Sequence, residues 1–157
     1  MRGFFITFEG PDGSGKTTQI ERLSAYLESR GYKTLTTYEP GATDLGKQIR
    51  KILMYSDLNI APEAEALLYA ADRAQHVREV IIPALNDGYT VISDRFIDSS
   101  LAYQGAGRNL GQKAVLQANE LALGGLMPDV TFIFDICPAD AFIRKGGVDR
   151  KDRIESE

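Results

Sequence analysis

The chain has 157 residues, of which 43% are hydrophobic and 25% are charged, and its formal net charge is −4 at pH 7. This length and composition are typical of one soluble globular domain, and the acidic balance argues against a surface that coats nucleic acid. No apolar run approaches the ~18 residues that a membrane span requires, and the first residues enter a strand without a secretory signal. We therefore expect a single cytoplasmic domain over residues 1–157, with no nucleic acid or membrane as a partner.

Strand and helix signals alternate along the whole chain. The apolar run at residues 4–8 predicts a first strand, and the spacing of Ile20, Leu23 and Leu27 predicts a helix that ends near Gly31. Further strands are predicted at residues 33–38, 90–93 and 130–134. Further helices are predicted at residues 45–53, 62–87, 115–123 and 138–145.

These repeated strand–helix units predict an α/β fold with a parallel sheet flanked by helices on both faces. The run at residues 130–134 is nearly all apolar, so we expect a strand that is covered on both faces. The only cysteine, Cys137, lies next to this run and is expected to be a buried thiol. Ligands of such sheets bind beyond the carboxyl ends of the strands, where we find the polar clusters of this chain.

Residues 10–17 match the phosphate-binding pattern G-x-x-x-x-G-K-[ST], between the first predicted strand and the first predicted helix. Its glycines let backbone N–H groups converge on phosphate oxygens, and the helix N-terminus adds partial positive charge. Lys16 is expected to reach the β- and γ-phosphates, and the Thr17 hydroxyl to ligate Mg²⁺. The residues predicted to bind a nucleoside triphosphate are Gly10, Pro11, Asp12, Gly13, Ser14, Gly15, Lys16, Thr17 and Thr18.

A second set of side chains suits a small phosphorylated acceptor. Asp94 and Arg95 end the third predicted strand, which brings a carboxylate near the metal and a guanidinium near the phosphates. The sequence lacks the Asn-Lys-x-Asp motif with which a GTPase recognises its base. Arginine forks hold phosphates or base carbonyls, aromatic rings stack on bases, and a glutamine amide can read a base edge. The candidates for such a pocket are Arg50, Tyr69, Arg73, Tyr103 and Gln104.

Several candidate residues also have a purely structural explanation. Asp94 and Arg95 could form an ion pair at a strand end, and the two tyrosines could be core aromatics. The mixed charges from residue 144 to 153 could belong to a solvated loop. His76, the only histidine, is expected on a helix surface, since one histidine makes neither a metal site nor a catalytic triad.

Across nearly its whole length the chain carries motifs in the order found in bacterial-type thymidylate kinases, and it resembles that family. The matching stretches are residues 8–18, 39–41, 45–50, 68–73, 94–96, 102–105, 128–129 and 152–155. The resemblance implies a phosphate-loop nucleoside-monophosphate-kinase fold and ATP-dependent phosphorylation of dTMP to dTDP. It also implies a homodimer, and Mg²⁺ as the metal, held by Thr17 and, through water, by Asp94.

The resemblance further assigns roles around the acceptor. It implies that Tyr69 stacks on the thymine and that Arg73 and Gln104 hydrogen-bond the base. Arg95 would hold the acceptor phosphate, and Tyr103 would pack against the deoxyribose, where a 2′-hydroxyl would clash. The residues implied to bind the acceptor are Asp12, Glu39, Arg50, Tyr69, Arg73, Arg95, Phe96, Ser100, Tyr103 and Gln104.

The resemblance also implies that residues 144–157 form a lid over ATP. Similar enzymes carry a catalytic arginine either in the phosphate loop or in this lid, and here the loop position holds Gly13. We therefore expect Arg150 and Arg153 of the lid to join Lys16 and Arg95 as catalytic residues.

The chain departs from the family pattern at two places. Tyr38 stands where similar enzymes usually have arginine, which leaves more of the acceptor phosphate to Arg95. Similar enzymes also continue beyond the lid into a helix, a last strand and a terminal helix, so we expect a fragment without them. Two alternatives stay open: a non-catalytic nucleotide-binding module, and a kinase of another nucleoside monophosphate or of a deoxynucleoside. A deoxynucleoside acceptor would need Asp12 or Glu39 as its base.

Overall fold

One parallel sheet organises the part of the chain that the computed structural model describes, residues 2–144. Its strands are β1 (Phe5–Glu9), β2 (Thr34–Tyr38), β3 (Thr90–Asp94) and β4 (Val130–Ile133). Their spatial order is β2-β3-β1-β4, and every neighbouring pair is parallel. The predicted parallel sheet is confirmed, with strand ends that lie within one residue of the predicted ranges.

Helices connect these strands. The α-helices are α1 (Lys16–Ser29), α2 (Asp44–Tyr55), α3 (Pro62–His76), α4 (Ile82–Asn86), α5 (Ile97–Ser100), α6 (Gln112–Leu123) and α7 (Pro138–Arg144). A π-helical segment, Val77–Ile81, joins α3 to α4, and a second one, Leu101–Gly107, follows α5. The helix predicted at 62–87 thus changes type in its middle, and Pro83, which has no N–H to donate, is the second residue of α4. None of these described helices is long and apolar enough to cross a membrane.

Different helices cover the two faces of the sheet. On one face, Phe5 and Val91 belong to a core cluster with Leu85 of α4. On the other face, Ile6 belongs to a cluster with Ile20 of α1. Successive side chains of a strand point to opposite faces, so a central strand that is covered on both faces must be apolar almost throughout. The expectation of helices on both faces is confirmed.

β4 is less covered than the sequence predicts. Val130, Phe132 and Ile133 are exposed, Ile133 to 74%. Among the described strands, β4 pairs with β1 alone and therefore forms an edge of the described sheet. The prediction of burial on both faces is wrong here, because apolar composition alone does not separate a central strand from an edge strand. Cys137, which follows β4, is also exposed, so the prediction of a buried thiol is wrong as well.

Candidate active site

Two neighbouring cavities open at the carboxyl ends of β1, β2 and β3. The first, which we call the loop cavity, is lined by Asp12, Gly13, Gly15, Lys16, Thr17, Thr18, Tyr38, Glu39, Arg50, Asp94 and Arg95. The second, the aromatic cavity, is lined by Asp12, Glu39, Pro40, Arg50, Met54, Tyr69, Arg73, Arg95, Phe96, Ser99, Ser100, Tyr103 and Gln104. The carboxyl ends of parallel strands lie at one edge of the sheet, which explains why residues distant in sequence meet there.

The two cavities share a wall. The residues that line both are Asp12, Glu39, Arg50 and Arg95. Arg95 donates from Nη2 to Asp12 Oδ1 at 2.7 Å and from Nη1 to Ser99 Oγ at 3.1 Å, and its Cζ lies 5.3 Å from the ring centre of Tyr103. The φ angle of Arg95 is 71°, a left-handed conformation that costs a residue with a side chain ~1–3 kcal/mol. The fold thus holds this guanidinium between the cavities at an energetic cost.

The phosphate loop curls back because its glycines adopt backbone angles that other residues avoid. Gly10, Gly13 and Gly15 have φ angles of 143°, 79° and 95°. A Cβ atom at Gly10 would also lie 2.9 Å from Cβ of Phe134, too close for any other residue without a backbone shift. The loop geometry predicted from the motif is therefore present, and it leads directly into the first turn of α1.

Lys16, the first residue of α1, extends back across the loop. Its Nζ donates to the carbonyl oxygens of Gly10 at 2.9 Å and Pro11 at 3.1 Å, and lies 3.9 Å from Asp94 Oδ1. Burial lowers the pKa of Lys16, and the nearby charge of Arg95 lowers it further. The ammonium group is thus fixed by the loop itself, in the cavity where phosphates are expected.

Asp94 presents a buried carboxylate oxygen, Oδ1, that receives no hydrogen bond from the described residues. This oxygen lies 3.9 Å from Lys16 Nζ, and burial raises the pKa of the carboxyl while Lys16 opposes the rise. Thr17 lines the same cavity. One carboxylate and one hydroxyl suit Mg²⁺, which takes its other ligands from water and substrate phosphates. Residues 2–144 contain no cluster of three His, Cys, Asp or Glu side chains that could hold a metal ion.

Arg73 of α3 is the most constrained side chain of the aromatic cavity, with an exposed fraction of 1%. Nε donates to Glu39 Oε2 at 2.9 Å, and Nη1 donates to Asn119 Oδ1. Nη2 donates to the carbonyl oxygen of Phe96 at 3.0 Å and to Ser100 Oγ at 3.1 Å. Because a guanidinium has five N–H groups, these described contacts leave one N–H on Nη1 for a ligand.

Glu39 links Arg73 to a histidine that the sequence analysis placed wrongly. His76 is fully buried, with Nδ1 2.9 Å from Glu39 Oε1 and Nε2 2.7 Å from Thr37 Oγ1. The prediction of a surface histidine is wrong, because α3 turns this residue toward β2. Its spacing of three residues from Arg73, which puts both on one helix face, was the signal that could have indicated this position. Nothing in the sequence indicated Asn119.

Gln104 lies in the π-helical segment after α5 and is also 1% exposed. Its Nε2 donates to Oε1 of Glu65, a buried residue in the first turn of α3, at 2.9 Å. Arg108 donates to the same carboxylate, from Nε to Oε1 at 3.3 Å and from Nη2 to Oε2 at 3.1 Å. The amide of Gln104 is therefore tied to a partly buried ion pair that no sequence pattern indicated.

The other predicted acceptor residues come from three separate elements. Arg50 of α2 has its Cζ 6.0 Å from the ring centre of Tyr38. Tyr69 of α3 and Tyr103 of the π-helical segment line the aromatic cavity with it. Phe96 lines the same cavity although its side chain is fully buried, so it shapes the wall by packing.

Most of the predicted site residues within positions 10–104 line one or both cavities. The exceptions are Gly10, Pro11 and Ser14, which belong to the loop without lining either cavity. The predicted lid residues Arg150 and Arg153 lie outside the described residues. The roles of all these side chains stay predictions.

A phosphate loop at the end of a parallel sheet, with a second cavity of arginines and tyrosines against it, defines a phosphate-loop kinase with separate places for donor and acceptor. Residues 8–157 match the family model for thymidylate kinase. The chain belongs to the thymidylate kinase family.

Two relatives and one solved structure describe the extent of this similarity. The chain is 51% identical over 160 residues to a thymidylate kinase of Bifidobacterium longum (strain NCC 2705), across 99% of this chain and 77% of the relative. It is 50% identical over 160 residues to a thymidylate kinase of Halothermothrix orenii, across 100% of this chain and 77% of the relative. A crystal structure of thymidylate kinase from Ehrlichia chaffeensis superposes with a TM-score of 0.80 at 39% identity, covering 92% of this chain and 82% of that chain. The predicted fold and family are confirmed.

Proposed function

We propose that this chain transfers a phosphoryl group from ATP to dTMP and so produces dTDP. The observation that carries the proposal is the shared wall between the loop cavity and the aromatic cavity, where Arg95 is held by Asp12. Two nucleotides bound in adjoining cavities would meet with their phosphates at this wall. The match of residues 8–157 to the thymidylate kinase family supports the same reaction.

Charge neutralisation and alignment are the proposed basis of catalysis. The phosphate of dTMP is largely dianionic at neutral pH, so it needs no general base, and the obstacle is the repulsion between two anions. We assign Lys16 to the transferring group because it extends into the loop cavity. We assign Arg95 to the acceptor phosphate because it lies at the shared wall. Asp12 would lie between the two substrates and orient Arg95 through their 2.7 Å contact.

The hydrogen-bonding groups left over in the aromatic cavity suit a pyrimidine-dione base. Arg73 keeps one N–H donor, and Gln104, whose Nε2 is bonded to Glu65, keeps its amide oxygen as an acceptor. Thymine offers the complementary pair, the O4 acceptor beside the N3–H donor, whereas cytosine offers the opposite pair. We assign Tyr69 to stacking on the base and Tyr103 to the deoxyribose.

Besides Lys16, positive charge on the donor side would come from a metal ion and from two arginines of the predicted lid. We assign Thr17 and Asp94 as the residues that hold Mg²⁺, which supplies charge to the donor phosphates when it is bound. Asp94 Oδ1, a buried oxygen that receives no hydrogen bond from the described residues, supports this assignment. We propose Arg150 and Arg153, in the predicted lid, as further cations, because the phosphate loop has Gly13 where some similar enzymes have arginine.

We also propose that the chain forms a homodimer through α2, α3 and α6. These helices pack side by side, α3 in the middle, on the sheet face opposite to α1. They expose large apolar side chains: Leu45 and Ile52 of α2, Leu67 of α3, and Leu116 and Leu121 of α6. Several exposed apolar residues on adjacent helices are typical of an interface.

Coupled turnover with four acceptors tests the proposed function. With ATP and Mg²⁺ present, dTMP should be the best substrate, while UMP and dCMP should be poor and thymidine inactive. Equal turnover of UMP and dTMP would contradict the thymidylate assignment. Turnover of thymidine would indicate a nucleoside kinase, and tight ATP binding without turnover of any acceptor would indicate a binding module.

A further inference from the structure

We infer that Glu65 is a specificity-determining positioning residue, which fixes the direction of the Gln104 amide and so makes the aromatic cavity reject cytosine. Glu65 itself does not line the cavity, and it acts through Gln104, which does. The inference rests on the proposed function and deepens it, because it concerns how the base of the acceptor is chosen.

The contact between Glu65 and Gln104 fixes which end of the Gln104 amide faces the carboxylate. A carboxylate oxygen only accepts hydrogen bonds, so the amide group that faces it at 2.9 Å must be the NH₂ end. The opposite orientation would set two acceptors against each other at a place where both side chains are buried, and buried polar atoms rarely stay unpaired. The amide of Gln104 therefore has one stable orientation.

Glu65 is itself anchored by Arg108. Arg108 contacts both carboxylate oxygens, at 3.3 Å from Nε and 3.1 Å from Nη2, so the plane of the carboxylate is fixed as well. With Nε2 bound on that side, Gln104 turns its oxygen toward the aromatic cavity that it lines. A base that contacts Gln104 must then supply a donor.

The oxygen that Gln104 presents discriminates between bases. At the N3 position, thymine and uracil carry an N–H donor, whereas neutral cytosine carries an acceptor that would face the oxygen of Gln104. The pair dUMP and dCMP isolates this effect, because both bases lack the methyl group and share sugar and phosphate. A role in packing alone would weaken both ligands equally.

The variant Glu65→Gln tests the inference. Arg108 still requires an oxygen from residue 65, so the new amide would turn its NH₂ toward Gln104, and Gln104 would turn its own NH₂ toward the cavity. Calorimetry should then show that the preference for dUMP over dCMP, as a ratio of dissociation constants, falls by ~10- to 100-fold. The matched control is Glu63→Gln, the same change at an exposed position in the same helical turn, and it should keep the wild-type ratio.

The double variant Glu65→Gln, Gln104→Glu supplies a rescue. The carboxylate at position 104 accepts from the new amide with one oxygen and presents the other to the cavity, so the preference for dUMP should return. If the single variant does not fold, the double variant decides alone, and loss of the preference there overturns the inference. An unchanged ratio in a folded Glu65→Gln protein, or an equal loss of both ligands, also overturns it. Either result leaves the proposed function intact as long as the wild-type chain turns over dTMP; without that turnover, both proposals fail.

Discussion

At the scale of single residues, Arg73 combines a structural role with the proposed contact to the base. Its guanidinium neutralises the buried carboxylate of Glu39 and satisfies Asn119 and Ser100. Removing a buried charge partner leaves the other charge uncompensated, which costs ~3–5 kcal/mol. The sequence pattern predicts only the contact with the base, because an arginine near a tyrosine does not reveal which other residues surround it.

We predict that Arg73→Ala lowers the free energy of unfolding by ~3–5 kcal/mol and also weakens dTMP binding. Arg73→Lys keeps a positive charge for Glu39 but loses the fork that reaches Asn119 and Ser100, so it should keep most of the stability and lose ~10-fold in dTMP affinity. Urea unfolding and calorimetry measure the two effects, and ATP affinity serves as the internal control. Wild-type stability in Arg73→Ala would contradict the buried network.

Asp72, the neighbour of Arg73, gives a prediction on pH. Burial, and after it the nearby charge of Glu39, raises the pKa of Asp72 to about 6 from its ordinary 3.8. The folded chain therefore binds this proton more tightly than the unfolded chain, and the resulting stability is lost as the pH rises from about 4 through about 6. Asp72→Asn cannot ionise and keeps an oxygen for the N–H of Gly41, which Asp72 Oδ1 accepts at 3.0 Å.

The stability of Asp72→Asn relative to wild type should thus increase by about 2–3 kcal/mol between pH 4 and pH 7 and then level off. Urea unfolding at several pH values measures this difference. The matched control is Asp57→Asn, at an exposed position, which should show no comparable trend. A flat difference for Asp72→Asn would mean that its carboxyl titrates normally.

Functional residues can be predicted from the sequence when they belong to a short motif. Lys16 and Asp94 follow from the loop pattern and from the end of a strand, and both line the loop cavity. His76, Asn119 and Glu65 could not be found in this way, because each acts through another side chain rather than toward a ligand. Their partners lie 37, 46 and 39 positions away along the chain, separations that only the folded sheet brings into contact.

At the scale of elements, the start of α2 depends on a close approach to α3. Thr43 caps α2 by accepting from the N–H of Gly46 at 3.0 Å. A Cβ atom at Gly46 would lie 2.4 Å from Asp72 Oδ1 and 3.0 Å from Thr43 Oγ1. A side chain at this position would therefore push α2, which carries Arg50, away from α3.

We predict that Gly46→Ala lowers the free energy of unfolding by ~1–3 kcal/mol, although alanine is the better helix former by ~1 kcal/mol. It should also weaken dTMP binding, because Arg50 would shift. The matched control is Gly107→Ala, where the nearest atom to a new Cβ is the carbonyl oxygen of Ala102 at 3.7 Å. That change should stay within ~0.5 kcal/mol of wild type, and an equal loss in both variants would contradict the steric argument.

The predicted lid gives a test at the same scale. If Arg150 and Arg153 neutralise the transition state, their double substitution by alanine should lower kcat by ~10³-fold and leave dTMP affinity nearly unchanged. Steady-state kinetics and calorimetry separate these effects. Lys151→Ala removes a neighbouring cation of the same segment and should keep the wild-type kcat. Full kcat in the double variant would mean that the catalytic cation lies elsewhere.

Elements differ in how well the sequence specifies them. β1 and α1 follow from an apolar run, a glycine loop and a helical period, all of which act locally. The change of helix type at Val77–Ile81 and the exposure of β4 could not be predicted, because the first depends on packing against the sheet and the second on which strands lie beside it.

At the scale of the whole molecule, alternation of strands and helices predicts the parallel sheet, since a parallel connection requires a crossover and crossovers are right-handed. The strand order could not be read from the sequence, because the order β2-β3-β1-β4 puts β3 between two strands that precede it. That order brings Asp94 and Arg95 beside the phosphate loop and Glu39 beside them. The site therefore depends on the one feature of the fold that local patterns do not encode.

The exposed apolar residues of α2, α3 and α6 lead to a prediction on the oligomeric state. Leu67 is 58% exposed on α3, the helix that contacts both α2 and α6. Burying these residues against a second copy would remove apolar surface from water on both subunits, and a charge placed among them would stay unpaired in such an interface. Leu67→Glu should therefore convert a dimer into a monomer. Light scattering at micromolar concentration measures the change.

The matched control for Leu67→Glu is Tyr26→Glu, which puts the same charge on α1, on the other face of the sheet, at a side chain that is 55% exposed. This variant should remain a dimer, because its position lies outside the proposed interface. A monomeric wild-type chain, or a dimer that survives Leu67→Glu, would contradict the proposed face. Loss of the dimer in both variants would point instead to an effect of net charge, which is already −4 in the wild-type chain.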